Sequence, residues 1–357
     1  MTNVYVAKGF YPAAYFKKTI DYIASVQSAD GDIAWFENGT TDPWDHVEAA
    51  MALSIGGRLE QAELAYHWLK HRQLEQGGWY VSYRGRKAED TSRIESNFVA
   101  YVATGVWHHY LISKDQDFLR LLWPTVSQAM AFVLDLQGEQ GQIFWALDSD
   151  KGIREDALIT GCCSIYKSLG CAINIAEVLN EPAEHLISMK NALGKALTER
   201  TDCFDQTWES KQRFAMDWFY PVLTGVIQGK AAVDRINSRW DEFVVDQLGC
   251  RCVNDEPWVT VAETCELVMS LISIQQYQRA VEVFSWIHQF RKEDGSYWTG
   301  YVYPDKAIWP EERTTWTAGA VLLAADAIAQ VSGGCKIFTN HQKPVSLERA
   351  KLPAGGP

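Results

Sequence analysis

Two kinds of helical pattern alternate along the chain. Segments such as "RLEQAELAYHWLKHR" (58–72) and "KDQDFLRLLWPTVSQAMAFVLDL" (114–136) carry charge around a single apolar face, the pattern of a helix in an outer layer. Between them lie segments in which Ala, Gly, Ser, Thr and Cys recur among larger apolar residues: 45–57, 95–111, 156–179, 220–233, 259–274 and "WPEERTTWTAGAVLLAADAI" (309–328). Small side chains at these positions suit helices packed closely on all sides. Each is preceded by a loop rich in Gly and aromatic residues: 27–36, 74–83, 137–148, 202–221, 248–258 and 292–310. The unit of outer helix, loop and inner helix therefore occurs six times. No run alternates with period two, so the pattern predicts an all-α chain of twelve helices. These would close as six α-hairpins, an (α/α)6 barrel filling residues 1–331 as one domain. The segment 332–357 loses the periodicity and is expected to be an irregular C-terminal tail.

In such a barrel the loops entering the inner helices gather at one end, around one cavity. Ten of the fifteen tryptophans fall in or beside these loops: Trp35, Trp44, Trp79, Trp145, Trp208, Trp218, Trp258, Trp298, Trp309 and Trp316. An aromatic cup of this kind can stack on sugar rings or shield a prenyl carbocation. Acids crowd the same end, among them Asp42, Asp45, Glu48, Glu95, Glu155, Asp156, Asp217, Glu263, Glu266, Glu311 and Glu312. That density favours a polar ligand, because a hydrocarbon pocket would leave carboxylates desolvated and unpaired. The candidate sugar-binding residues are Trp44, Asp45, Glu95, Trp145, Asp217, Trp218, Trp258, Glu263, Trp298, Trp309, Arg313 and Trp316. For any single acid, a helix cap or a solvated loop is the better explanation, and the constellation carries more weight than any member.

The net charge of −12 over 357 residues and the pI near 5.2 argue against a nucleic-acid or anionic-membrane partner. The N-terminal "MTNVYVAKGFYPAAYF" lacks the apolar run of a secretory signal, and no stretch of about 18 apolar residues stands out. Eight cysteines at spacings unlike a CxxC or zinc-knuckle motif suggest reduced thiols in a cytoplasmic protein, with no metal or cofactor. Nothing in the sequence specifies an oligomeric state.

Glycoside hydrolysis needs two carboxylates flanking a bound ring, one protonated to donate to the leaving oxygen and one ionised. Glu311 with Glu312, and Glu155 with Asp156, are adjacent acids at the starts of two inner segments, where one member can face substrate while Arg313 or Arg154 holds the other. The chain resembles the six-hairpin glycosidase superfamily, most closely in "FVAYVATGVWHHYLISKDQDFLRLLWPTVSQAMAFVLDLQ" (98–137), which is similar to glucoamylase-like and trehalase-like enzymes. The resemblance implies an α/α barrel and, commonly, inverting hydrolysis. It also implies a general acid near the start of the third inner helix, hence Asp156 beside Glu155, and a base near the sixth, hence Glu312 or Glu311. The third hairpin departs from that pattern in lacking a Trp-Glu-Glu acid loop.

The loops "QSADGDIAW", "QLEQGGW" and "QGEQGQIFW" also resemble the Gln-Gly-Trp repeats of terpene cyclases and prenyltransferase β-subunits. The chain carries no Asp-x-Asp-Asp or Asp-Asp-x-x-Asp motif and no clear zinc set, so these repeats read as marks of the fold. His108 and His109, beyond the first turns of the second inner segment, read as core residues. Glu263 and Glu266 share a helix face and fit either a sugar hydroxyl or a buried ion pair. Asp217 and Trp218 are placed at the cavity mouth. Hydrolysis of a carbohydrate or glycoconjugate is the leading expectation. Prenyltransferase or terpene cyclase chemistry, sugar epimerisation or lyase chemistry, and a silent sugar-binding barrel are the alternatives.

Overall fold

Small residues on the inner segments allow their helices to touch. A Cβ on Gly105 would lie 2.4 Å from a methyl of Val47, and one on Gly319 would lie 3.2 Å from the backbone oxygen of Glu48. The computed structural model describes residues 13–85 and 87–341 and is mostly helical. Its α-helices are α1 (Ala13–Val26), α2 (Pro43–Ile55), α3 (Leu59–Arg72), α4 (Ser96–Ser113), α5 (Gln116–Asp135), α6 (Ile159–Leu179), α7 (Glu184–Glu199), α8 (Ala215–Leu223), α9 (Gly229–Ser238), α10 (Trp240–Phe243), α11 (Val261–Ser273), α12 (Tyr277–Trp286) and α13 (Thr315–Ala329).

Helix α2 packs on α4, α4 on α6, α6 on α8, α8 on α11, α11 on α13, and α13 back on α2, so six helices form a closed ring. The others cover its seams: α1 lies against α13 and α2, α3 against α2 and α4, α5 against α4 and α6, and α12 against α11 and α13. Helices α7 and α9 pack on α6 and α8. Burial follows this division. Every residue of α13 from Thr317 to Ala327 is buried, whereas α3 buries Ala62, Ala65, Tyr66, Trp68 and Leu69 and leaves its charged positions outward.

The Gln-Gly repeats join one hairpin to the next. The Gln27 amide donates to Gly31 O and Gln61 O, Gln73 to Gly77 O and Thr125 O, and Gln137 to Gly141 O and Met189 O. Each glutamine thus closes its own turn and ties it to the following outer helix, α3, α5 or α7. The paired glycines have φ of +100°, +95° and +93°, a region that disfavours any Cβ. An added Cβ would also strike the backbone of Leu64, Gln128 or Ala192 at 2.2–2.5 Å. The repeats are therefore explained by packing alone.

Three expectations need correction. First, the chain is not free of strands: β1 (Ser82–Arg84), β2 (Lys87–Asp90), β3 (Arg93–Glu95), β4 (Ala146–Asp148), β5 (Gly152–Arg154), β6 (Val244–Val245), β7 (Gly249–Arg251), β8 (Trp258–Thr260), β9 (Gly300–Val302) and β10 (Ala307–Ile308) lie in the loops. They pair as β1-β2, β3-β4-β5 and β10-β9-β8-β7-β6, all antiparallel. Runs of two to four residues are too short to show alternation in sequence, yet they brace the entries of neighbouring inner helices against one another. Second, the segment 220–233 is not one helix. Helix α8 ends at Leu223, Gly225 turns the chain at φ +79°, and α9 starts at Gly229. Third, the sixth inner helix does not start at Trp309. Thr314 caps it by accepting from the Thr317 N–H, which leaves Glu311 and Glu312 in the preceding loop.

Helix α6 is long and apolar enough to cross a membrane, and its apolar surface is used in packing against α4, α5, α7 and α8. The first part of the predicted tail is anchored. Ser332 donates through its N–H and its hydroxyl to the Asp326 carboxylate, and Ile337 and Phe338 are buried; residues 342–357 lie outside the described residues. All eight cysteines are free thiols.

Candidate active site

The first turns of the ring helices surround a cavity of about 760 Å³. One side is polar and comes from the entry to α2 (Trp35, Thr40, Asp42, Asp45), the β1-β2 hairpin (Ser82, Glu89, Asp90) and β3 (Arg93, Glu95). The rest of the lining follows the ring through α4 (Asn97, Phe98), the α6 entry (Leu158, Thr160, Gly161), α8 (Met216) and α11 (Ala262), and is more apolar. Trp44 and Trp316 also line the cavity, while Glu48, Glu263 and Glu266 supply further carboxylates.

The entry to α2 is rigid for local reasons. Asp42 caps the helix by accepting from the Asp45 N–H at 3.0 Å, and its second oxygen accepts from the Trp35 indole at 2.6 Å. Pro43 supplies a fixed φ at the helix start. Trp44 stacks on Tyr101 at 4.6 Å and 17°, so its ring is held by the core.

Eight carboxylates face the cavity against one guanidinium among the lining residues, Arg93, which pairs with Asp90 and Glu95. Among the buried ones, withdrawal from water and mutual repulsion both disfavour ionisation. Burial, then the neighbouring Asp42 and Glu48, push the Asp45 pKa well up. Burial raises Glu48 from the ordinary 4.5 to about 8; the Trp44 indole opposes the rise, while Asp42 and Glu263 add to it. Glu266 is pushed well up by burial and by Glu48 and Glu263, although the Tyr220 hydroxyl donates to it at 2.7 Å.

Glu48 and Glu266 are 6% and 8% exposed and form the floor. Asp45 and Glu263 sit one turn nearer the open end and are partly exposed. Two buried polar atoms of the lining have no hydrogen-bond partner, Glu263 Oε2 and the Trp316 indole N–H. Unpaired polar groups in a concave site are what a polar ligand would satisfy.

No family model matches the chain. Over 332 residues it is 48% identical to the MMP endo-(1,4)-3-O-methyl-alpha-D-mannosidase of Mycolicibacterium hassiacum, a match covering 93% of this chain and 91% of that protein. The chain belongs to the family of this mannosidase. It is a glycosidase. Solved structures of similar fold include a glycosidase in complex with glucose (12% identity, TM-score 0.71), covering 89% of this chain and 97% of that one. A D-mannose isomerase (10%, 0.70; 89% and 96%) and a sugar epimerase from a ruminal bacterium (12%, 0.65; 89% and 98%) share the fold as well.

The glycosidase brings together only part of the set named from sequence. Trp44, Asp45, Glu95, Glu263 and Trp316 line the cavity. Trp145 lies behind its wall, edge-on to Trp208 with the Arg93 guanidinium over its ring, in a small pocket that shares Asn97, Leu158 and Gly161 with the cavity.

Asp217 and Trp218 are not at the mouth. Both are buried on α8, where Trp218 stacks on Phe243 and donates to Arg235 O, and burial lifts Asp217 to about 6. Trp258, Trp298, Trp309 and Arg313 stand outside the cavity lining. Trp258 packs edge-on to Trp309, and Arg313 lies over Trp298 while pairing with Asp294 at 2.7 Å. His108 is about 18 Å along α4 from Ser96, given 1.5 Å per residue. Burial lowers His108 to about 3 and His109 to about 4, and no described histidine lines the cavity.

The three acids first suggested for catalysis are dispersed. Glu311 and Glu312 line a separate cavity of about 620 Å³ with Asp21, Tyr22, Glu37 and Asp294, because α13 starts only after them. Asp156 is 3% exposed and accepts from Ala157 N (2.7 Å), Gln206 N (2.9 Å), Thr207 N (2.6 Å) and Thr207 Oγ1 (2.7 Å). Burial would raise its pKa, but these donors, led by the Thr207 hydroxyl, hold it below the usual carboxylate range. With its lone pairs engaged, Asp156 anchors the loop that follows α7. Asp156→Ala should cost about 2–3 kcal/mol, read as a lower urea midpoint with faster proteolysis around residues 202–210.

Asp42, Glu48, Glu266 and Trp35 are legible in the sequence as members of this end of the barrel but not as specific site residues, and Arg93, Phe98 and Met216 carry no sequence signal. For Glu48 and Glu266 a usable signal is present: Asp45 with Glu48, and Glu263 with Glu266, are acid pairs three residues apart in the first turns of two inner helices.

Proposed function

We propose that this glycosidase is an endo-acting mannosidase that cuts (1,4) linkages in a chain of 3-O-methyl-α-D-mannose, and that its helical ring is an (α/α)6 barrel within residues 1–331. The observation that carries the substrate reading is the 48% identity to an enzyme of that specificity over nearly the whole chain. The cavity supports it. Its polar side offers carboxylates and Arg93 to hydroxyls, while Phe98, Leu158, Met216 and Ala262 give methyl ethers an apolar surface. A wall of this kind gains from each methyl group buried, by roughly 0.8 kcal/mol per carbon.

The proposed acid is Asp45 and the proposed base is Glu263. Burial, with Asp42 and Glu48 beside it, pushes Asp45 toward its protonated form, and it is partly exposed to the cavity. Glu263 has an unpaired oxygen and projects from α11, which is separated from α2 by α13 alone. With a sugar between them, Asp45 gives its proton to the glycosidic oxygen as the bond to the anomeric carbon breaks. A water adds to that carbon, and Glu263 takes the water's proton. Trp316, on the intervening helix, presents its indole N–H to the same space.

The test is a product profile. Incubated with an α-(1,4)-linked 3-O-methyl-mannose oligosaccharide, the protein should release mid-length oligosaccharides early, and it should act more slowly on the unmethylated chain. Early release of monosaccharide alone would contradict the endo assignment, and equal rates on both chains would contradict methyl selection.

A further inference from the structure

Trp309 is the one large apolar side chain among the described residues that is more than half exposed, at 56%. It is nonetheless held firmly. Its ring meets Trp258 edge-on at 4.9 Å and 75°, its carbonyl accepts from the Trp258 indole at 2.7 Å, and its N–H donates to Gly300 O at 3.1 Å. Gly300 makes this clasp feasible, since a Cβ there would lie 2.2 Å from the Trp258 indole nitrogen and 2.7 Å from Trp309 O. A loose surface tryptophan needs no such support. This one is fixed by three separate contacts while its outer surface remains open to water.

Its position bears on the active site. Trp258 lies on β8, which runs directly into α11. From Trp258 to Glu263 the chain advances about 11 Å, two strand steps and three helix steps. The Trp258–Trp309 pair is therefore on the rim of the end at which the cavity opens, outside the cavity lining. An enzyme that cuts within a chain must hold sugars on either side of the cut, and those beyond the cavity have to lie on the rim.

We propose that Trp309 is an outer stacking platform for the polysaccharide, receiving sugar rings a few residues from the bond that is cut. The inference rests on the endo-mannosidase reading above. A flat, preordered indole suits a methylated mannose ring because its C–H and O-methyl groups present an apolar surface, and the ordering cost is already met by the Trp258 clasp. A ring contact of this kind corresponds to roughly a three- to tenfold effect on affinity.

The experiment compares wild type, Trp309→Ala and Trp309→Phe on a long and a short α-(1,4)-linked 3-O-methyl-mannose chain, the short one just filling the cavity. For the long chain, Trp309→Ala should raise KM about three- to tenfold without changing kcat, Trp309→Phe should lie between, and the long-to-short ratio of kcat/KM should fall accordingly. A proportional loss on both chains, or no loss on the long one, would overturn the platform while leaving the substrate reading in place. If the wild type cuts neither chain, the substrate reading falls and the platform falls with it. A dimer dissociated by Trp309→Ala in sedimentation, with both chains cut at wild-type rates, would show that a second copy covers Trp309 and would also overturn the proposal.

Discussion

A Glu48→Gln variant should be more stable than the parent at neutral pH and no more stable in acid. Burial chiefly lifts the folded-state pKa of Glu48 from 4.5 to about 8, so between those values the folded protein binds a proton that the unfolded chain has released. The parent's stability therefore falls as pH rises from about 4.5 to about 8 and is constant above that. Glutamine copies the neutral carboxyl at every pH and removes the penalty. At pH 7 the gain is of order 3 kcal/mol, from 1.36 kcal/mol per pH unit over about 2.5 units. For a chain of this length that corresponds to a Tm higher by about 4 °C. Urea midpoints of both proteins at pH 4, 6 and 8 give the check: the two should coincide at pH 4 and separate progressively. A constant difference across that range would mean that Glu48 keeps an ordinary pKa and that the cavity floor is better solvated than its 6% exposure indicates.

The second large effect is on turnover. Asp45→Asn and Glu263→Gln should each reduce kcat by about 10²–10⁴, the range expected for losing a general acid or base, with oligosaccharide affinity largely retained. Glu311→Gln and Glu312→Gln should leave kcat at the wild-type level, because those acids face a different cavity. Steady-state kinetics with calorimetric affinities for the four variants separates the two sets. A loss in the Glu312 variant equal to that in the Glu263 variant would return the active site to the sixth-hairpin loop.

The chain's periodicity reveals the ring more readily than the site. Small residues such as Gly105 and Gly319 are needed wherever inner helices touch, and that need recurs six times, so it is visible as a repeat. The Gln-Gly turns recur for the same kind of reason, each being bonded to the next outer helix. The strands are invisible because each is set by a partner in another hairpin, as when Arg93–Glu95 pairs with Ala146–Asp148, and two to four residues carry no period.

Catalytic groups have no repeat to betray them. Adjacent acids drew notice at Glu311–Glu312 and Glu155–Asp156. The Thr314 cap and the donors around Asp156 show that adjacency reflects loop chemistry there. Helical spacing is the better guide. Asp45/Glu48 and Glu263/Glu266 each place one acid toward the opening and one on the floor, and in both pairs burial raises the floor acid. Tryptophans misled in a similar way: Trp44 and Trp316 do line the cavity, but Trp218 is core and Trp309 is rim.

The assignment of Asp45 as the proton donor is tested most directly by changing the leaving group. The substrate pair is an ordinary 3-O-methyl-mannose oligosaccharide and the same oligosaccharide carrying an activated aryl group at the cleaved linkage, which departs without protonation. Asp45→Asn should be slowed by about 10²–10⁴ on the first and far less on the second, whereas Glu263→Gln should be slowed on both. Equal impairment of Asp45→Asn on the two substrates would contradict the account and move the acid elsewhere in the ring.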